Sequence, residues 1–198
     1  MAHIDYFFGI GSPWAYVGLD AFAALATQHG ASVEPHVIPL IEENGGIYSR
    51  NRPAARRDYW TEDLKRWAHL RGIELSFDRA ALSDPTPAGR LIVAAWLDGQ
   101  DWLGVARALH RAFWSKAQDI GAADVRIAVV TEAGFDGAAL ESRAAQDDVT
   151  ARLAQSRETA TAAGVFGIPT YRHNGQLFWG QDSLPFLDRH LRGEKLTA

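Results

Sequence analysis

Residues 4–14 read IDYFFGIGSPW and residues 164–170 read GVFGIPT, and these two stretches decide the fold. The first begins as a short apolar run rich in β-formers, which predicts a buried strand bounded by glycines. Ser12 and Pro13 follow, and they are residues typical of the N-cap and the first turn of a helix. A strand therefore leads directly into a helix N-terminus that carries a serine hydroxyl.

The distant segment Ile168-Pro169-Thr170 is the expected partner of that helix N-terminus. In a thioredoxin-like fold, a first strand leads into a Cys-X-X-Cys turn at a helix N-terminus, and an Ile/Val-Pro-Thr segment faces the turn. This chain contains no cysteine, and Ser12 stands where the attacking cysteine would be. Thiol–disulfide exchange needs a protein thiolate, so any sulfur chemistry must come from a bound cofactor.

The order of the hydrophobic patterns predicts an α/β fold with a helical insertion. A helix over residues 13–30 and a strand over residues 33–40 follow the first strand, and this βαβ order makes the two strands parallel. Helical periodicity then dominates residues 53–163. Asn174-Gly175 predicts the turn of an antiparallel hairpin, and residues 182–191 predict a closing helix.

The expected organisation is a discontinuous thioredoxin-like domain, residues 1–52 and 164–198, interrupted by an all-helical domain, residues 53–163. A chain of 198 residues is long enough to bury a core in this arrangement. Gly164 is expected to close the last helix of the insertion.

Composition and charge argue against several classes of function. The formal net charge of −4 argues against a nucleic-acid partner, because a broad interface needs clustered positive charge. No run approaches the roughly 18 apolar residues of a spanning helix, so no membrane partner is expected. No export signal is visible at the start, which predicts a cytoplasmic location. The seven histidines are dispersed, and no metal site is expected.

Short motifs along the chain carry a family resemblance: DYFF at 5–8, SP at 12–13, NRP at 51–53, RAFW at 111–114, DI at 119–120, GVFGIPT at 164–170 and LFWGQDSL at 177–184. With these motifs the sequence resembles the 2-hydroxychromene-2-carboxylate isomerases and their relatives, the kappa-class glutathione transferases. The likeness spans nearly the whole chain, which makes it more specific than a single short motif.

The resemblance implies that glutathione is the cofactor. Ser12 would be the catalytic residue that stabilises the glutathione thiolate, since a helix N-terminus and a hydroxyl donor both favour an anion. A cis peptide bond before Pro169 would expose the backbone of Ile168 to the extended tripeptide. The γ-glutamyl end would be bound by the segment Trp179, Gly180, Gln181 and Asp182.

The resemblance also assigns individual polar side chains, for which simpler interpretations exist. Asp182 would take the ammonium of glutathione, although it could equally cap the last helix. Asn51 and Arg52 would bind the substrate, since guanidinium pairs well with carboxylates. A polar loop with Asn and Pro is also typical of a simple turn, and Ser12 could be only an N-cap.

The implied activity is the glutathione-dependent interconversion of 2-hydroxychromene-2-carboxylate and trans-o-hydroxybenzylidenepyruvate in aromatic-compound degradation. Thiolate addition, bond rotation and elimination would regenerate glutathione. Two alternatives stay open: a kappa-type transferase that releases a thioether, and a non-catalytic glutathione- or peptide-binding module. The implied partners are a small aromatic carboxylate substrate and, in a homodimer, a second copy of the chain.

Overall fold

The computed structural model describes residues 2–78 and 82–197, which form four strands and eight α-helices. The strands are β1 (His3–Phe8), β2 (Ser32–Val37), β3 (Thr170–His173) and β4 (Gln176–Trp179). The helices are α1 (Pro13–Gln28), α2 (Ala54–Arg71), α3 (Thr86–Leu97), α4 (Trp102–Trp114), α5 (Ala123–Glu132), α6 (Gly137–Ala144), α7 (Asp147–Ala162) and α8 (Leu184–Leu191). Short 3₁₀ turns lie at Glu42–Asn44, Ser49–Asn51 and Gln181–Ser183. Residues 1, 79–81 and 198, which belong to the predicted domain ranges, lie outside the described residues.

The strands form a sheet in the order β2-β1-β3-β4. β1 pairs with β2 in parallel, with His3 opposite Ser32, as the βαβ pattern predicts. β1 is antiparallel to β3, and β3 is antiparallel to β4 across the Asn174-Gly175 turn. β2 is an edge strand, which explains why it tolerates Pro35, a residue without a backbone donor.

A hydrophobic core joins the sheet to the helices that follow β2. It includes Tyr6 and Phe8 of β1, Leu91 of α3, Leu109 of α4 and Val149 of α7. Each such side chain stabilises the fold by about 1.5–3 kcal/mol when fully buried. α3 and α7 pack against β2, and α4 packs against α1. The division of the chain into two domains stays a prediction.

One helix has a weaker apolar pattern than expected and another has a different start. α5 lies inside the stretch 53–163 that the sequence predicts to be helical, although Val129 and Val130 are its only buried residues. The last helix begins at Leu184 rather than Asp182, because residues 181–183 form a 3₁₀ turn. Among the described residues, the structure contains no helix with the length and apolar character needed to cross a membrane.

A buried polar network holds β1, β2, β3 and α7 together. Nε2 of His36 donates to one carboxylate oxygen of Asp5 at 3.1 Å, and Nε of Arg172 donates to the other at 2.8 Å. Nδ1 of His36 lies 3.3 Å from Oγ of Ser156. This is the connectivity of a Ser-His-Asp triad, but Ser156 is fully buried and no substrate reaches its hydroxyl. The network is therefore structural.

Candidate active site

Ser12 lies at the end of the turn that connects β1 to α1. After Phe8 the chain turns, with the Ser12 N–H donating to the Gly9 carbonyl at 3.0 Å, and α1 begins at Pro13. The Ser12 hydroxyl accepts a hydrogen bond from the Ala15 N–H at 3.2 Å, which makes Ser12 the N-cap of α1. Its side chain is nearly buried and borders a cavity, so it is both a cap and a cavity residue.

The same hydroxyl joins α1 to the second sequence stretch. It donates to the Ile168 carbonyl at 3.2 Å, and the Ile168–Pro169 peptide bond is cis, as the resemblance implies. The Pro169 carbonyl in turn accepts a hydrogen bond from the Gly180 N–H at 2.8 Å. Hydrogen bonds to the Ile168-Pro169 segment thus connect it with Ser12 on one side and with Gly180 on the other.

The N-terminus of α1 is suited to an anion. At positions N1 to N3, Pro13 has no N–H and the Ala15 N–H donates to Ser12, which leaves the Trp14 N–H for a ligand. The helix dipole adds about half a positive charge at this end. An anion beside Ser12 would meet a backbone donor, the dipole and, once the hydroxyl rotates away from Ile168, the serine proton.

A cavity of about 630 Å³, named here the Ser12 cavity, opens beside this helix N-terminus. Its apolar walls include Trp14, Trp60 and Trp114, of which the first two pack edge to face with ring centres 6.2 Å apart. The indole N–H of Trp114 donates to the Ile10 carbonyl at 2.7 Å and fixes that wall. A cavity of this size and aromatic character suits a small ring-bearing ligand.

A smaller cavity of about 210 Å³, the tryptophan cavity, lies next to the first. Trp14, Arg52 and Ile168 line both. Its described lining includes two carboxylates and four indoles, namely those of Asp63, Asp182, Trp14, Trp60, Trp67 and Trp179. Aromatic faces combined with carboxylates attract a cation such as an ammonium group.

Trp179, Gly180 and Asp182 all line the tryptophan cavity. The Trp179 ring packs over Gly167, where a Cβ would collide with the indole, and is half exposed, as expected of a wall residue. Asp182 is exposed within the 3₁₀ turn, while the N-cap positions of that turn and of α8 belong to Gly180 and Ser183. The interpretation of Asp182 as a helix cap is therefore wrong.

Gln181, which the resemblance assigns to cofactor binding, has its side chain in the protein interior. The side chain is fully buried, and its Oε1 accepts a hydrogen bond from Arg71 at 3.1 Å. Its Cβ lies 2.5 Å from the place where a Cβ on Gly18 would stand, so α1 needs a glycine there. The side chain of Gln181 thus anchors the turn, and only its backbone remains for a ligand.

The positive charge on the described walls of the Ser12 cavity comes from Arg50 and Arg52, on either side of Asn51. The Arg50 guanidinium lies 4.2 Å from the centre of the Tyr48 ring, which restricts the side chain by a cation–π contact. Asn51 is exposed on its 3₁₀ turn and lines neither of the two cavities. The structure therefore places the two arginines, and not the asparagine, on the cavity wall.

Residues 84–86 form a further wall of the Ser12 cavity, held in place by Asp119. The Asp119 carboxylate accepts hydrogen bonds from the Ser83 N–H at 2.9 Å and from the Ser83 hydroxyl at 2.8 Å. Asp84 then accepts from the N–H and the hydroxyl of Thr86. The motif at residues 119–120 thus positions a wall of the cavity.

Among the described residues, the Ser12 hydroxyl has no hydrogen bond to a group that could act as a general base, because its partners are the Ile168 carbonyl and the Ala15 N–H, and no histidine lines either cavity. His110 of α4 is buried against the rings of Phe8 and Tyr16, and burial lowers its pKa to about 3, so it stays neutral. A serine hydroxyl without a base is a poor nucleophile. Ser12 is therefore suited to donate a hydrogen bond rather than to attack a substrate.

Sequence reasoning missed several wall residues, including Tyr48, Arg50, Trp60, Asp63 and Trp67. One signal was available, because Trp60, Asp63 and Trp67 are spaced i, i+3 and i+7 and therefore lie on one face of α2. Tyr48 and Arg50 lie in a loop, where no periodicity indicates which side chains face inward.

Comparison with known proteins identifies the fold family of the chain and several relatives. Residues 3–192 match the DSBA-like thioredoxin domain. The 2-hydroxychromene-2-carboxylate isomerase of Pseudomonas sp. (strain C18) is 26% identical over 199 residues, covering 98% of this chain and 92% of that protein. The protein of the same name from Sphingobium xenophagum is 29% identical over 195 residues, covering 95% and 97%.

A solved structure also shares the fold. The structure of SeMet 2-hydroxychromene-2-carboxylate isomerase has a TM-score of 0.79 at 24% identity, covering 96% of this chain and 95% of that one. The α/β, thioredoxin-like fold expected from the sequence is confirmed. Since the family model matches nearly the whole chain, the protein belongs to the DSBA-like thioredoxin domain family.

Proposed function

We propose that this protein is a glutathione-dependent isomerase that interconverts 2-hydroxychromene-2-carboxylate and trans-o-hydroxybenzylidenepyruvate in aromatic-compound degradation. The observation that carries the proposal is the Ser12 hydroxyl, which bonds to the Ile168 carbonyl at a helix N-terminus beside an aromatic cavity, in a chain without cysteine. The curated relatives named as this isomerase, similar over nearly their full length, support the choice of reaction.

The residues of the site fit glutathione at three points. Ser12 and the N-terminus of α1 suit its thiolate, because both stabilise an anion. The backbone of Ile168 suits pairing with an extended peptide. Asp182 and the aromatic walls of the tryptophan cavity suit its ammonium group, and the N-terminal N–H groups of the 181–183 turn suit its α-carboxylate.

Bound glutathione would supply a thiolate that adds reversibly to the conjugated substrate, so that a single bond can rotate before the thiolate leaves. Ser12 turns its hydroxyl from the Ile168 carbonyl to the anion and exchanges a neutral hydrogen bond for a stronger, charge-assisted one. Arg50 and Arg52 hold the substrate carboxylate. The aromatic walls exclude water, which strengthens these interactions.

One assay separates this proposal from its alternatives: turnover of the substrate with glutathione at one tenth of the substrate concentration. Complete conversion is the expected result, because an isomerase regenerates glutathione. A reaction that stops when glutathione is consumed would show a transferase that releases a thioether. No reaction at any glutathione concentration, with glutathione binding intact, would show a binding module.

Asp182→Asn is expected to raise the half-saturation concentration of glutathione about five- to tenfold, while turnover at saturation stays nearly constant. An exposed carboxylate paired with an ammonium contributes about 1 kcal/mol, and Asp182 lines the tryptophan cavity but not the Ser12 cavity, where the sulfur would bind. The melting temperature should stay close to the parent value, since Asp182 caps no helix. The control is Asp147→Asn, another exposed aspartate in a first helical turn. An unchanged half-saturation would contradict the ammonium role.

Arg50→Gln is expected to raise the KM for the carboxylate substrate about fivefold and to leave the half-saturation of glutathione unchanged. The reason is the loss of one ion pair on the wall of the Ser12 cavity, which contributes about 1 kcal/mol because Arg50 is exposed. Arg189→Gln, at an exposed position of α8 that lines neither cavity, is the control. If KM for the substrate does not change in Arg50→Gln, this arginine does not hold the carboxylate.

A further inference from the structure

A second apolar cavity, named here the side cavity, adjoins the Ser12 cavity. It has a volume of about 470 Å³ and lies between the end of β2, the start of α3 and α7. Pro39, Asp84 and Thr86 line both cavities, so the two cavities adjoin at a common border. A ligand that fills the Ser12 cavity therefore ends next to the side cavity.

The side cavity is suited to an apolar group. Its apolar lining includes Ile10, Val37, Ile38, Pro87 and Leu153. The arginines at its edge already have partners, because Arg90 donates to the Ala144 carbonyl and the Thr150 hydroxyl, and Arg157 pairs with Glu43. An anion would find those guanidinium groups occupied, whereas an apolar group would be removed from water by the aliphatic walls.

Gly9 places a wall of the side cavity directly against the candidate active site. It is the residue after β1 and lines the side cavity. A Cβ at this position would lie 2.7 Å from the Ile38 carbonyl oxygen and 3.2 Å from Cδ1 of Ile168. Only glycine allows this close approach, which joins the end of β2 to the cis-proline segment that faces Ser12.

The charges around the two cavities determine how an aromatic carboxylate is oriented. Arg50 and Arg52 line the Ser12 cavity but not the side cavity, so an anionic group is attracted to the former. Asp84 lies at the common border of the two cavities and repels an anion there. The carboxylate therefore faces the arginines, and the apolar end of the molecule faces the side cavity.

We infer that the side cavity is a specificity subsite for the apolar end of the substrate. Its preferred substrates are then aromatic carboxylates that carry a second ring or an apolar chain beyond the first ring. This inference rests on the proposed function, which supplies the carboxylate substrate. Filling the subsite raises kcat/KM for an extended substrate about tenfold or more over the chromene carboxylate, which carries one aromatic ring.

The test compares Ala154→Phe with Ala151→Phe. Both alanines are exposed on α7, but only Ala154 lines the side cavity, so only its replacement fills the space. The probes are benzoate and biphenyl-4-carboxylate, titrated by calorimetry into the full-length protein. The parent and Ala151→Phe should bind the two-ring probe at least tenfold more tightly than benzoate. Ala154→Phe should lose most of that preference.

This experiment tests the inference about the side cavity separately from the proposed isomerase reaction. Equal affinities for the two probes in the parent, or a two-ring preference that persists in Ala154→Phe, would overturn the subsite. If the preference behaves as expected while no variant converts the chromene carboxylate, the subsite stands as a binding site and the isomerase proposal falls.

Discussion

Ser12→Ala is expected to lower isomerase turnover by about one to two orders of magnitude, which corresponds to about 1.5–3 kcal/mol in activation free energy. The variant loses the hydroxyl at the N-terminus of α1, which borders the Ser12 cavity. Among the described wall residues, this hydroxyl is the side-chain group that forms a hydrogen bond to the Ile168 carbonyl. Bound glutathione should ionise at a higher pH, and its affinity should fall less than turnover. Thiolate absorbance against pH and steady-state kcat measure the two effects.

A matched control is needed because Ser12 also caps α1. Loss of that cap is expected to destabilise the protein by about 1 kcal/mol without any effect on chemistry. Asp136→Ala removes a comparable cap, since Asp136 accepts from the Ala139 N–H at 3.0 Å at the start of α6 and lines neither cavity. Asp136→Ala should lower stability about as much as Ser12→Ala does and should keep full turnover. If Ser12→Ala also keeps full turnover and unchanged thiolate absorbance, Ser12 is only an N-cap.

The junction of β1 with α1 could be predicted from the sequence because its determinants are local. An apolar run, a cap residue and Pro13 are adjacent in the chain, and each restricts the backbone by itself. The hairpin followed from Asn174-Gly175 for the same reason. The pairing of Ser12 with Ile168 needed the known pattern of a thioredoxin-like fold, since the two residues lie 156 positions apart.

The roles of Asn51 and Gln181 could not be predicted because each depends on distant packing. The segments packed around the 49–51 turn determine which face of the turn borders the Ser12 cavity. As a result, Arg50 lies on the cavity wall and Asn51 lies in solvent. Gln181 follows Gly180 directly, yet its side chain turns inward to Arg71 and Gly18. The residues next to Asn51 and Gln181 in the sequence do not indicate either placement.

The glutathione cofactor, the homodimer and the cytoplasmic location stay predictions.

Asp5→Asn is expected to lower stability by about 2 kcal/mol and the melting temperature by about 4–8 °C at neutral pH. The substitution removes the charge that pairs with Arg172 and His36 in the sheet. This loss of stability is smaller than the loss expected for a fully buried ion pair, because Arg172 is partly exposed. Asp20→Asn is the control, since Asp20 pairs with Arg107 at a well exposed site and should change stability by less than about 1 kcal/mol.

The pH dependence separates the charge of Asp5 from its shape. Burial alone would raise the pKa of Asp5, but hydrogen bonds from His36 and Arg172 outweigh burial and hold it well below the usual range. The stabilisation by Asp5 is therefore complete above the unfolded-state pKa, near 3.9, and is lost as the pH falls below it. In urea titrations, the difference between parent and Asp5→Asn should stay constant from pH 7 to pH 5 and narrow by about 1 kcal/mol at pH 3. A difference that is the same at pH 3 and pH 7 would mean that packing of the side chain, and not its charge, holds β1 to its neighbours.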